Sequence, residues 1–223
     1  ERFFTSEQLY LATIGLNTRN FQEDKYLFNF GIIEDVPYGQ VYSITGGIQE
    51  KNNRMRGYCG GRVAYGTYLP VGYAGINIEV GSFFDGGKSY ESTVRIEANY
   101  FTNLMSIGSW RVRQFVIPTL VLGNHRVNSI KDRVTINEKN GISGFDNPLI
   151  NGTRKLFTTF QTQTYVPGNW HGFHFSPFFN MNLGVLGDER HKMFDDKIYS
   201  IFSLGVLINN DYLVFNSFQI SFS

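Results

Sequence analysis

Residues 90–100 read Tyr-Glu-Ser-Thr-Val-Arg-Ile-Glu-Ala-Asn-Tyr, and the alternation in this stretch decides the fold class. In an extended chain successive side chains point to opposite sides. Tyr90, Ser92, Val94, Ile96, Ala98 and Tyr100 therefore share one face, and Glu91, Thr93, Arg95, Glu97 and Asn99 share the other. The same period of two returns at 173–185. There Phe173, Phe175, Phe179, Met181, Leu183 and Val185 oppose His174, Ser176, Asn180 and Asn182. It returns again at the end, with Phe218, Ile220 and Phe222 against Ser217, Gln219 and Ser221. Helical periodicity is almost absent. Eleven strands are expected, over residues 8–16, 24–33, 38–49, 54–68, 72–83, 89–101, 106–120, 154–166, 171–186, 197–208 and 211–223.

Alternation alone does not separate a soluble sheet from a membrane wall; strand length and connections do. Strands of soluble proteins usually run ~5–6 residues, whereas a strand that crosses a bilayer at a tilt needs ~9–11. The expected strands are of the longer kind. Connections fall into a tight set, 34–38, 70–71, 102–105, 167–170 and 209–210, interleaved with a mostly longer, polar set, 17–23, 50–53, 84–88, 121–153 and 187–196. Short turns at one end and long loops at the other are the pattern of outer-membrane barrels. Composition agrees: aromatics reach 16%, with 21 Phe, 13 Tyr and 24 Gly but only 6 Pro, and mean hydropathy is −0.20. The expected fold is all-β, an antiparallel transmembrane β-barrel, with residues 121–153 on the extracellular side.

Other classes are excluded by absence of their signals. No stretch approaches the ~20 apolar residues of a membrane-spanning helix. Net charge is +1 and scattered, so no basic run points to nucleic acid. The single Cys59 supports neither a disulfide framework nor a metal site. An outer-membrane protein is made with a signal peptide and none is present, so it has been removed or the chain is a piece of a longer one.

Residues 121–153 form the one long connection, and a loop of that length in a tight-turned protein is usually functional or disordered. It contains Gly141-Ile142-Ser143-Gly144-Phe145 and leads into Arg154-Lys155-Leu156-Phe157. Here the chain resembles the outer-membrane barrel-assembly superfamily: the BAM and TAM insertases, the two-partner-secretion transporters and the surface-antigen barrel domain. In that family periplasmic POTRA domains precede a sixteen-stranded barrel. A long extracellular loop folds into the lumen and carries [Val/Ile]-Arg-Gly-Phe, the next strand holds a luminal Glu, and the strand after it holds Phe-x-Asp-x-Gly. Ile142–Phe145 is similar to the loop motif, Leu156–Pro167 to the following strand and Asn180–Gly184 to the third element. The resemblance covers residues 105–223 best and is weaker upstream.

Three positions depart from the pattern. The motif Arg is Ser143, the luminal Glu is Gln161, and the Asp is Asn182. By parity Gln161 and Asn182 both point into the lumen. A buried charge without its partner is strongly destabilising, so loss of the cation favours loss of the anions. The expectation is a loop lock formed by Ile142, Ser143, Gly144 and Phe145 against Gln161 and Asn182, held by neutral hydrogen bonds in place of an ion pair. The resemblance further implies that residues 1–223 form one partial barrel domain, about eleven of sixteen strands, with POTRA domains and a final strand outside this chain.

Of His125, His171, His174 and His191, the second and third are expected on opposite faces of a strand, so they share no metal. Gly46-Gly47 and Gly60-Gly61 lack the strand-to-helix setting of a phosphate loop and are expected at bends or bulges. Arg56, Arg62, Glu79, Glu91, Arg95, Glu97, Arg111 and Arg113 either tune a pore or form a self-neutralising network, and the network is the preferred reading. Trp110 and Trp170 suit an interface girdle. The resemblance implies a protein of the cell outer membrane that inserts or translocates outer-membrane proteins without covalent catalysis or cofactor. Its partners would be membrane lipid, client barrels and other subunits. The alternatives are a barrel anchoring a periplasmic or surface domain, as in patatin-type fusions, a subunit of a larger complex, and a passive channel.

Overall fold

The computed structural model describes residues 6–27, 30–127, 129, 132–137, 141–142, 144–189, 193, 197–212 and 217–223. Among them thirteen strands form: β1 (Glu7–Lys25), β2 (Ile33–Lys51), β3 (Arg54–Leu69), β4 (Gly72–Asp85), β5 (Lys88–Thr102), β6 (Met105–Ile107), β7 (Trp110–Asn124), β8 (Val134–Thr135), β9 (Asn151–Gly152), β10 (Arg154–Tyr165), β11 (Phe173–Gly187), β12 (Ile198–Asn210) and β13 (Ser217–Phe222). One antiparallel sheet follows chain order along β1-β2-β3-β4-β5-β7-β10-β11-β12-β13, with β6 attached to β7, while β8 and β9 form a separate two-stranded ribbon. Among the described residues the path ends on β1 and β13, so the sheet is open at both edges. Among the described residues no helix is long and apolar enough to cross a membrane, which says nothing of crossing by strands.

Register aligns the alternating faces of neighbouring strands, because directly opposed residues lie on the same side. One rung runs Leu16–Tyr42–Val63–Ile78–Ile96–Leu120–Leu156–Val185–Ile198, apolar on all nine strands it crosses. A second runs Tyr100–Val116–Phe160–Met181–Phe202. Leu16, Tyr42, Val63 and Ile198 on the first and Phe202 on the second are exposed. The opposite face carries Arg62, Glu79 and Arg95 as successive cross-strand neighbours. Arg62 bridges to Glu79 at 3.4 Å and Arg95 to Glu97, while Asn77 donates to both acids at 3.3 Å. Arg56 meets Glu91 at 3.0 Å. These pairs neutralise six of the eight charges expected to form a network, while Arg111 donates to the Ser106 hydroxyl at 2.8 Å.

Residues from strands far apart in the sheet meet on this polar side, so it is the inner side of a curled sheet. Arg113 of β7, 1% exposed, forms two hydrogen bonds to the carboxylate of Asp24 on β1, at 2.9 and 3.0 Å, and a third to the carbonyl of Lys25 at 3.0 Å. Tyr165 of β10 donates its hydroxyl to the carbonyls of Tyr26 (2.7 Å) and Leu27 (3.0 Å). The β1–β2 turn thus crosses to the β7–β11 side. Leu27 is buried there with Val36, Tyr73, Phe101 and Phe115. The Tyr73 ring lies across two glycines: a Cβ on Gly66 would come within 2.3 Å of its hydroxyl oxygen and one on Gly75 within 3.2 Å. That hydroxyl donates to the Pro37 carbonyl at 3.0 Å.

The chain departs from the sequence-based expectations in three places. Residues 17–23, expected as a loop, are the second half of β1, paired residue by residue with β2 from Val41 to Asp35. Of residues 24–33, expected as a strand, only 24–25 and 33 lie in strands; Tyr26, at φ 61°, Leu27 and residues 30–32 lie between β1 and β2. Polar residues therefore occupy a strand and aromatic ones a turn. The short-and-long alternation of connections fails as a result: 52–53 and 86–87 are two-residue turns at the same end as the long loop, and the opposite end carries 26–32 and 166–172. Gly108, at φ 61°, splits the expected strand 106–120 into β6 and β7. Tyr90 is the third departure. Register shifts between Gly81 and Phe83, which pair with Thr93 and Tyr90, and Glu91 has φ 50°. Tyr90 therefore joins the face of Thr93, where Arg56 sits over its ring.

The clamp on Asp24 predicts an unequal pair of mutants. Asp24→Ala leaves a buried guanidinium without its acid and is expected to cost about 3 kcal/mol. Arg113→Met keeps volume and leaves only a partly exposed carboxylate, so it should cost under half as much. Thermal or denaturant unfolding of both in detergent checks the order; equal losses would contradict the clamp.

Candidate functional site

The loop between β7 and β10 returns to the inner face and is held there. Its ribbon pairs Val134 with Gly152 and Thr135 with Asn151. The Thr153 amide donates to the Gly187 carbonyl at 3.0 Å, and Gly123 donates to Thr153 at 2.8 Å, which ties both feet of the loop to the strands below. Within the loop, Ile142 donates to Ile136 at 2.9 Å and Phe145 to Ile142 at 3.2 Å. Asn137 bonds Asp146 at 3.0 Å and accepts from the Asn147 amide at 3.2 Å.

These bonds set an apolar plug. Ile136 (0% exposed) and Ile142 (3%) are buried with Phe157 of β10 and Leu186 of β11, and Phe145, Tyr199 and Ile201 pack around them. Gly184, opposite Phe157 in the register, is the floor. A Cβ there would meet Ile136 Cγ2 at 3.2 Å and the Phe157 ring at 3.4 Å. Beside the plug a cavity of about 500 Å³ separates β8 from the inner face, bounded by Arg95, Glu97, Thr135, Lys155 and Phe157. A second cavity of about 480 Å³ lies toward the β1–β2 turn, between Leu27, Tyr73, Phe101, Phe115 and Gln161.

Of the expected lock residues, Ile142 and Phe145 come together in the plug, and Gly144 stands exposed at φ 77°. Ser143 lies outside the described residues. Gln161 and Asn182 both lie on the inner face, as parity predicts, but they are not side by side. Gln161 donates to Gln163 at 3.1 Å and borders the second cavity. Asn182 accepts from Thr159 at 2.7 Å and is paired in register with Ile201 of the plug. Sequence reasoning missed Ile136, Phe157, Gly184 and Leu186. A signal existed: Phe157 interrupts the otherwise polar face of Lys155, Thr159, Gln161 and Gln163. An apolar side chain on the polar side of a strand needs an apolar partner.

At the opposite end, His171 belongs to the connection before β11, at φ 52°, and not to the strand expected to carry it. His191 lies outside the described residues. Among the described residues no cluster of three or more His, Cys, Asp or Glu has the proximity to hold a metal ion. Comparison with family models, with curated proteins and with solved structures finds no match to this chain.

The plug predicts its own test. Gly184→Val places a branched side chain into Ile136 and Phe157, and overpacking of this kind costs about 1–3 kcal/mol. Ile136→Ala removes a fully buried side chain and should cost about 2–4 kcal/mol. Both should raise protease cleavage within 125–153 more than elsewhere. Unchanged loop cleavage in a destabilised Ile136→Ala protein would disconnect the plug from the loop.

Proposed function

We propose that this chain is part of the wall of a transmembrane β-barrel in the outer membrane, related to the barrel-assembly superfamily and acting on other outer-membrane proteins without covalent chemistry. One observation carries the membrane reading: the outward rung from Leu16 to Ile198 is apolar on nine consecutive strands. A sheet facing water on that side would alternate or carry charge there. Strand length agrees. The apolar positions of β11 run from Phe173 to Val185, and twelve residues of rise at a tilt near 40° span about 30 Å, the thickness of a hydrocarbon core.

The assembly reading rests on the loop and the edge. The loop bearing Ile142 and Phe145 is seated on the inner face, as the resemblance implies, and occupies space that an open pore would keep clear. The β1–β2 turn fills the other end of the same face. Both features weigh against a passive channel. β1 presents 19 residues of backbone as a sheet edge, and an unpaired edge in lipid must be closed by further strands, of this protein or another. A barrel that anchors another domain or serves as a subunit remains the second reading, favoured by the neutral residues at all three lock positions.

Depletion in cells separates these readings. Assembly work predicts a fall in other outer-membrane barrels while lipid-anchored proteins stay level; an anchoring role predicts loss of one partner only. Reconstituted protein should show small, intermittent conductance. A large steady conductance would establish the channel reading instead.

A further inference from the structure

The inner face is polar over most of its width, but one rung of it is aromatic. Tyr73 of β4, Phe101 of β5 and Phe115 of β7 are successive cross-strand neighbours, and the next residue on that rung is Gln161 of β10. The three rings are buried. Tyr73 and Phe101 stack with centroids 5.1 Å apart and planes 15° from parallel, and Phe115 lies 5.9 Å from Phe101. Leu27 and Val36 pack against them. The cavity of about 480 Å³ lies between these side chains and Gln161, with Glu34, Asn99 and Ile117 also on its wall. Sites for small molecules span roughly 300–1,000 Å³ and combine an apolar lining with a few polar groups.

The lining sets the chemistry of an occupant. A further aromatic ring extends the cluster by the offset or edge-on contacts its members already make. Gln161 donates to Gln163 at 3.1 Å, which leaves its carbonyl oxygen and one N–H for a ligand. The Asn99 carboxamide lies over Gly75, where a Cβ would come within 2.2 Å of its Oδ1. It has no hydrogen-bond partner among the described residues. Glu34, which accepts the Leu27 amide at 3.1 Å, adds a negative charge, and no Lys or Arg borders the cavity. An anion therefore meets a carboxylate with no cation beside it. An aliphatic chain fills the volume but leaves the two carboxamides unpaired in an apolar site, which is costly.

We propose that this cavity binds a small neutral aromatic molecule with one N–H or O–H donor, of the indole or phenol class. The ring lies against Phe101 and Phe115, and the donor bonds the carbonyl oxygen of Gln161, the next residue on their rung. The site goes beyond the membrane reading and does not rest on it. It also gives the neutral residue at position 161 a role. A carboxylate there would bring a second negative charge to a cavity that already has Glu34 on its wall.

Fluorine NMR of 5-fluoroindole with the full chain in neutral detergent micelles tests this, with empty micelles as the control for partition. A saturable shift is expected beyond the partition shift. The N-methylated probe keeps the ring and loses the donor, and should bind about fivefold more weakly, the size of one hydrogen bond. Gln161→Leu should bring the two probes to equal affinity. Ile117 is 42% exposed, so a larger side chain has room there, and Ile117→Trp should fill the cavity and abolish saturation. Either variant serves if the other fails to fold. Partition into the micelle alone, or equal affinity of the two probes for the unmodified chain, overturns the site. So does saturable binding that survives Ile117→Trp, or a preference between probes that persists in Gln161→Leu.

Discussion

Nine opposed residues, from Leu16 on β1 to Ile198 on β12, are apolar and point outward. The rest of the architecture depends on that constraint. Burial of apolar area contributes ~25 cal/mol per Å², so a face of this size must be covered. The described residues leave much of it uncovered: Ile14, Leu16, Ile44 and Ile198 are each at least two-thirds exposed, at 84%, 77%, 70% and 67%, although Val185 is buried. The cover has to come from outside the described residues, and in the membrane reading proposed above lipid supplies it.

Turning the apolar residues outward leaves tertiary packing to the polar side. The buried set accordingly includes polar residues beside the apolar ones. Gln49, Arg56, Arg113, Gln163 and Ser176 are buried while large aliphatic side chains are exposed. Buried polar groups demand specific partners, and those partners determine the inner geometry. Arg113 finds Asp24 on a strand far away in the sheet, and Gln163 donates to the Ser176 carbonyl on β11. Aromatic rings on this side need flat seats, which is why Tyr73 lies over Gly66 and Gly75. Gly60, expected at a bend or bulge, also gives clearance to a ring, since a Cβ there would come within 2.7 Å of the Tyr58 hydroxyl oxygen.

Period-two alternation made the faces legible, because it depends only on local geometry and one solvent contrast. It carried β10 to β12 nearly to the residue, and it placed Gln161 and Asn182 on the inner side. It failed between residues 17 and 33. Asn17, Thr18, Arg19 and Asn20 have the composition of a loop, yet their backbone is fully occupied by pairing with β2. Tyr26, Leu27 and Phe30 have the composition of a strand, yet Leu27 is drawn out of the sheet to pack with Tyr73, Phe101 and Phe115, and Tyr26 and Phe30 lie against Tyr165 of β10. Cross-strand partners decide both cases, and they lie outside any sequence window. The loop motif was found for the same local reason that hid its anchor. Ile142 and Phe145 stand in a recognisable string, whereas Phe157, Gly184 and Leu186 become a floor only when two strands are in register.

The two objects resting on the inner face are held by different chemistry, and that difference assigns them different behaviour. The loop plug of Ile136, Ile142, Phe157 and Leu186 is apolar. Its stability scales with buried area and is indifferent to proton and salt concentration near neutrality. The β1–β2 turn is held by an ion pair, two hydrogen bonds from one hydroxyl and a ring stacked on a histidine. Those contacts are few, directional and sensitive to charge. Leu27, buried with Val36, Tyr73, Phe101 and Phe115, adds an apolar contact to these, so the turn shares the kind of term that seats the loop and adds a charge-sensitive one to it.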